Sequence, residues 1–195
     1  LRTHQGNGAD SYVRSDASDD YGAKAMLQGS LDGESNQEHI YLRLDLSRLP
    51  RARSDLDRAI LLLTVRAGGY QGQSEFAVYG IQKNLMADWA ETGGEHLSWE
   101  TSPCRSGIGG QKYLGRCSFN NAKDNLKDAQ DQIRFFGAEF DEFIRNAESD
   151  LVTLVLIRQS TSNRPTRFHS KEGKPDLAPA LAVRFRESEP TDDSN

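Results

Sequence analysis

Cysteine is scarce in this chain: Cys104 and Cys117 are the two among 195 residues. That excludes a disulfide-dense scaffold. With no CxxC pair and no clustered histidine beside them, it also argues against a zinc site. No apolar run is long enough to cross a membrane as a helix. No excess of positive charge exists either; the net charge is -5, which argues against nucleic acid as the main partner while leaving room for a local basic face. The chain has no phosphate-binding glycine loop, no Ser/His/Asp motif and no metalloprotease motif. It has no internal repeat and no signal peptide, and its start at LRTHQGNG reads as a cut from a larger chain. Apolar residues are sparse at 36%, and the mean hydropathy is -0.70. A two-layer β fold tolerates that composition, because only alternate residues of each strand need be apolar.

What is present is a series of short strand-like segments separated by turns. The cleanest is HIYLRLDLSRLP, in which Leu42, Leu44 and Leu46 share one face and Tyr41, Arg43 and Asp45 the other. ADSYVRS, AKAMLQGS, LDRAILLLTV, SEFAVYGIQ and QIRFFGAEF read as further strands, and DEFIRNAESD as a short helix with Phe143, Ile144 and Ala147 on one stripe. The stretch from Cys104 to about Asp131 is rich in Gly, Asn and Lys and reads as one long insertion loop. Near the end, LVTLVLI has the form of a buried strand, TRFHSKE alternates, and ALAVRF closes the series. In TRFHSKE, Phe168 takes the core side, which sends Arg167, His169 and Lys171 outward. The pattern predicts an all-β fold, an antiparallel β-sandwich with one insertion loop and one short helix. Residues 1–8 are expected to fray, 9–186 to form the sandwich, and the acidic 187–195 to be a disordered tail.

The ordered series ADSYVRS…DDYG, YLRLDLSRLP, LDRAILLLTV, FAVYGI…DWAE…LSWETSP and LVLIRQ…RFHSKE…APALAV resembles the DNRLRE-type domain, carbohydrate-binding module family 96. The likeness runs from Ala9 to Val183 and departs from the family in the Cys104–Cys117 loop, where a shorter connection is expected. The resemblance implies a jelly-roll β-sandwich that serves as a non-catalytic module of secreted or cell-surface bacterial proteins, with alginate as a ligand. It also implies that Trp89 and Trp99 anchor their loop rather than stack on sugar.

The candidate binding residues are those on the non-core parity, read as one basic face: Tyr12, Arg14, Lys24, Tyr41, Arg43, Arg158, Asn163, Arg167, His169 and Lys171. Guanidinium groups bind carboxylate or sulfate in bidentate fashion, so an anionic polysaccharide is the expected partner, together with neighbouring domains of a larger chain. The same arginines could instead form surface ion pairs with Asp45 and Glu172. A structural or adhesive spacer module is the alternative function. A polysaccharide lyase using Tyr41, Arg43 and His169 is a more distant one. No cofactor is required, although Asp16, Asp19 and Asp20 offer hard oxygen ligands for a structural calcium, or simple turn chemistry. Cys104 and Cys117 lie close in sequence and are expected to form a local disulfide; the alternative is two free thiols.

Overall fold

The computed structural model describes residues 1–32, 36–66, 68–69, 72–81, 89–103, 111–120, 132–162 and 164–187. Among the described residues there are ten strands: β1 Ala9–Arg14, β2 Met26–Asp32, β3 Asn36–Asp45, β4 Leu56–Thr64, β5 Gln73–Ile81, β6 Lys112–Asn120, β7 Gln132–Phe135, β8 Leu151–Arg158, β9 Thr166–His169 and β10 Ala180–Phe185. One α-helix, α1, spans Ala138–Arg145. All the strand pairs are antiparallel, as the alternating pattern predicts.

The larger sheet runs β6-β5-β8-β3-β2-β9, with β1 also paired to β3; the smaller runs β10-β4-β7. Strand β2 pairs with β3 at Ser30–Asp32 and with β9 at Met26–Gly29, so it carries the larger sheet around a corner. At that corner a Cβ on Gly29 would lie 2.5 Å from the Phe76 ring, so only glycine lets β2 pass this close. Beyond it, β9 reaches the end of β4 through a Val65–Phe168 bridge. The two sheets thus enclose one core. Leu42, Leu44, Leu61, Leu154, Leu156, Phe76 and Phe168 fill it, and α1 adds Phe140, Phe143 and Ile144. Burying each such side chain contributes about 1.5–3 kcal/mol.

Four sequence expectations are corrected. Residues 1–8 are tied down: Thr3 is fully buried and its amide donates to the Pro179 carbonyl at 3.1 Å. The insertion loop contains β6. Its pairing with β5 slips between Val78 and Tyr79, next to Gly115 at φ +132°. The slip spaces the buried Leu114 and Cys117 three residues apart, which hides the strand's alternation. The helix begins three residues before the expected DEFIRNAESD, at Ala138, and its Asp141 carboxylate accepts from the Ala59 amide at 2.7 Å. Cys117 is a free thiol, because its side chain is turned into the main core and not into the loop. The expected bond to Cys104 is therefore absent at the Cys117 end, and Cys104 itself lies outside the described residues. Burial pushes the Cys117 thiol up to about 11, so it stays protonated and unreactive at neutral pH. The tail residues 188–195 also lie outside the described residues.

Candidate functional site

The sequence placed Tyr41 and Arg43 on an outer, solvent-facing surface of β3. The parity is right, but the surface is covered. Trp89, Leu97 and Trp99 need burial, and the segment that carries them folds over Ala9, Val13, Tyr41, Ile81 and Val155 to make a second apolar cluster. Tyr41 is fully buried, edge-on to Trp89. The Trp89 indole N–H donates to Thr153 Oγ1 at 3.1 Å, so this ring anchors the segment. Arg43 acts as a clasp: Nη1 donates to the Trp89 carbonyl at 2.6 Å, Nε donates to the Asn7 carbonyl at 2.8 Å, and the guanidinium lies over the Trp89 ring at 5.1 Å. An Arg43→Ala variant is therefore expected to lose about 2–3 kcal/mol of stability by urea denaturation while polysaccharide affinity stays within about twofold of wild type. An unshifted denaturation midpoint would show that the clasp contributes nothing.

Other predicted cations are also engaged internally. Arg158 shares the core parity of Leu154 and Leu156 and is 1% exposed; its Nη1 donates to the Arg164 carbonyl at 3.1 Å. Asn163 lies outside the described residues. Lys171 Nζ pairs with Glu91 at 2.7 Å and with Glu172 at 3.1 Å. Tyr12 is buried, stacked on Tyr21, and its hydroxyl accepts from Gln28 at 2.8 Å. Arg14 shares a face with Tyr12 as expected, but it is the inner face, and the guanidinium grips Asp16 through two hydrogen bonds of 3.0 and 2.8 Å. That grip holds the Asp16 carboxyl below its ordinary value. The other two acids of the calcium expectation have separate donors: Asp19 accepts from the Tyr21 hydroxyl, and Asp20 from the amides of Gly22 and Gly93. The three groups that a lyase would need have different surroundings, with Tyr41 and Arg43 under the Trp89 segment and His169 two strands away on β9.

A carboxylate cluster that sequence reasoning missed lies at one end of β1. Oxygens of Asp10, Glu91 and Glu172 all fall within 4.8 Å of one another, the one such group among the described residues. Asp10 is fully buried; its carboxylate accepts from the Thr3 hydroxyl and the Lys171 amide. The Lys171 ammonium bridges Glu91 and Glu172, supplying the cation that such a cluster requires. Burial, reinforced by the charges of Glu172 and Glu91, raises the Asp10 pKa to about 7.

Three of the predicted residues do come together, at the corner where β2 meets β9. The register sets Met26 against His169 and Gln28 against Arg167. Arg167 donates to Gln28 Oε1 at 3.1 Å and to the Gly68 carbonyl at 3.0 Å. The Arg66 amide donates to the Arg167 carbonyl at 2.8 Å, and its guanidinium to the Ala25 carbonyl at 2.6 Å. Next to Ala25, Lys24 is exposed, and its carbonyl accepts from the Ser170 hydroxyl at 2.6 Å. His169 is covered, and Nδ1 has no hydrogen-bond partner among the described residues. Burial first, and then the positive charges of Arg66 and Lys174, hold its pKa down. Lys24, Arg66, Arg167 and Lys174 thus lie at or beside this corner, and the charges of Arg66 and Lys174 act on the covered imidazole. Arg66 and Lys174 were not picked out in advance, because only long-range pairing brings either of them to this corner.

The described strands thus form a two-sheet antiparallel β-sandwich with surface clefts between its strand ends. The comparisons with known proteins take the assignment one step further: the model of carbohydrate-binding module family 96 matches residues 3–185, and the chain belongs to that family. No curated protein matches the chain. Among solved structures, a recombinantly expressed latent aurone synthase (polyphenol oxidase) aligns at 13% identity and TM-score 0.42, over 83% of this chain and 26% of its own. The latent aurone synthase from natural source aligns at 14% identity and TM-score 0.38, over 74% of this chain and 24% of its own. This chain therefore spans about a quarter of the length of those enzymes.

Proposed function

We propose that the chain is a non-catalytic module that holds an anionic polysaccharide, such as a uronic-acid or sulfated glycan, along the β2–β9 edge. The observation that supports this reading is the convergence of Lys24, Arg66, Arg167 and Lys174 at one corner of an otherwise acidic chain, where both charges acting on His169 are positive. Guanidinium and ammonium groups at such an edge suit carboxylates or sulfates repeated along a glycan. The module would work as one part of a secreted or surface protein, delivering that protein to its glycan.

Calorimetry with a hexauronate at low salt is expected to show binding that weakens as salt rises, because exposed charge contacts are screened. Arg66→Ala and Arg167→Ala should each cost about 1.5–3 kcal/mol of binding, as for other charged hydrogen bonds. An anion at this edge would also raise the His169 pKa, a shift readable by NMR titration of the imidazole. Salt-independent affinity, or wild-type affinity in both arginine variants, would place the ligand elsewhere.

A further inference from the structure

The inward parity of two neighbouring strands changes from apolar to charged at the same end of the sandwich. On β1, Tyr12 gives way to Arg14; on β3, Ile40 gives way to Glu38. A cleft of about 140 Å³ opens there, on the scale of a single sugar ring. Its walls are the ends of β1, β2 and β3 and the segment around Ser162 and Arg164. Glu38 is 8% exposed, yet its Oε2 has no hydrogen-bond partner among the described residues. Its other oxygen lies 3.7 Å from Arg14 Nε. Burial raises the Glu38 pKa, and the Ser30 hydroxyl and Arg14 oppose that shift. A buried acceptor left unmatched costs about 1–3 kcal/mol, a penalty that a bound donor removes.

The donors and acceptors around Glu38 are mixed. Arg14, Arg164, Ser30 and Asn36 can donate, while Glu38, Asp32 and Asp16 accept. A hydroxyl group both donates and accepts, so adjacent sugar hydroxyls fit such a lining. The charges favour a neutral guest, since two cations (Arg14, Arg164) face three carboxylates (Asp16, Asp32, Glu38). A uronate would meet net negative charge here, in contrast to the β2–β9 edge.

We infer that this cleft is a second carbohydrate subsite, one that accepts a neutral, hydroxyl-bearing sugar residue, with the Glu38 side chain turning its covered Oε2 toward the cleft to take a hydrogen bond from a sugar hydroxyl. The cleft has its own lining, although the Arg167 charge of the basic edge also acts on Glu38, and its test is separate from that of the edge.

The test is NMR titration of the isotopically labelled domain with neutral hexamers of glucose, mannose and galactose, and with a hexauronate. At least one neutral hexamer is expected to shift the backbone amides of Ser30, Gln37 and Arg164. Glu38→Leu fills the cleft with an apolar side chain and removes a buried charge, so the fold should persist, as a thermal melt would confirm. The variant should weaken neutral binding by about tenfold or more, a change of about 1.4 kcal/mol, and should not weaken hexauronate binding, since it removes a negative charge that acts on Arg167. Asn36→Ala is the fallback should Glu38→Leu fail to fold, with the same loss expected. The inference is overturned if none of the three neutral hexamers moves those amides, or if a folded cleft variant binds them as wild type does. Failure of the hexauronate arm alone counts against the basic edge and not against the cleft.

Discussion

Asp10→Asn is expected to gain stability relative to wild type as pH rises from 4 to 8, by up to about 4 kcal/mol. The Asp10 carboxyl is raised to about 7 in the folded state from 3.8. Between those values the native state holds a proton that the unfolded state has released, so stability falls as pH rises through the window and levels off above it. The groups facing Asp10 sustain the effect: Glu91 and Glu172 repel its charge, while the Thr3 hydroxyl and the Lys171 amide partly offset burial. Asparagine keeps the shape without the titration. Urea denaturation of both proteins at half-unit pH steps gives the difference curve. Parallel curves for the two would show that Asp10 ionises as it does in the unfolded chain.

The second large effect has the opposite sign. His39 is 3% exposed, packs its ring tilted against Trp99 at 4.8 Å, and neither ring nitrogen has a hydrogen-bond partner among the described residues. Burial lowers its pKa to about 4 from 6.5. The unfolded state therefore takes up a proton that the native state refuses. Stability contributed by His39 is present above pH 6.5 and is lost as pH falls toward 4, by about 3 kcal/mol. His39→Leu should remove that acid sensitivity. It should also hold stability at pH 7 or raise it, since two buried polar atoms without partners disappear. In wild type the two groups oppose each other between pH 4 and 6.5, leaving a shallow profile; each variant uncovers the slope of the other. If His39→Leu loses as much stability as wild type on going from pH 7 to 4.5, the acid sensitivity lies in other groups.

Apolar patterning was enough to place nine of the ten described strands: alternation marks strands such as β3 and β9, and continuous apolar runs mark β4 and β8. Strand β6 escaped, since the slip at Gly115 breaks its alternation. Parity also identified which side of β3 Tyr41 occupies, but it cannot tell whether a face is bare or covered. That depends on where Trp89 and Leu97 fold, a long-range fact. For the same reason Arg43 reads as a surface cation in sequence and is a clasp in the structure. Asp10 shares the parity of Tyr12, which the sequence assigned to the outer face; the structure turns that parity inward, and an acid there has to be buried or at an open end. The basic edge was half legible, with Lys24, Arg167 and His169 visible in strand-like segments. Arg66 and Lys174 join only through the Val65–Phe168 bridge and the turn after β9.

The first residues run antiparallel to β10. Thr3 donates to the Pro179 carbonyl, the Leu1 amine and carbonyl both engage Leu181, and Arg2 bridges Ala180. Tension applied between Leu1 and Leu181 would pull on directly paired points of this ladder, across the hydrogen bonds and not along them. The bonds would then open one after another, as in unzipping, instead of resisting together in shear. A seam held by so few hydrogen bonds is expected to open at lower load than the longer ladders within the two sheets.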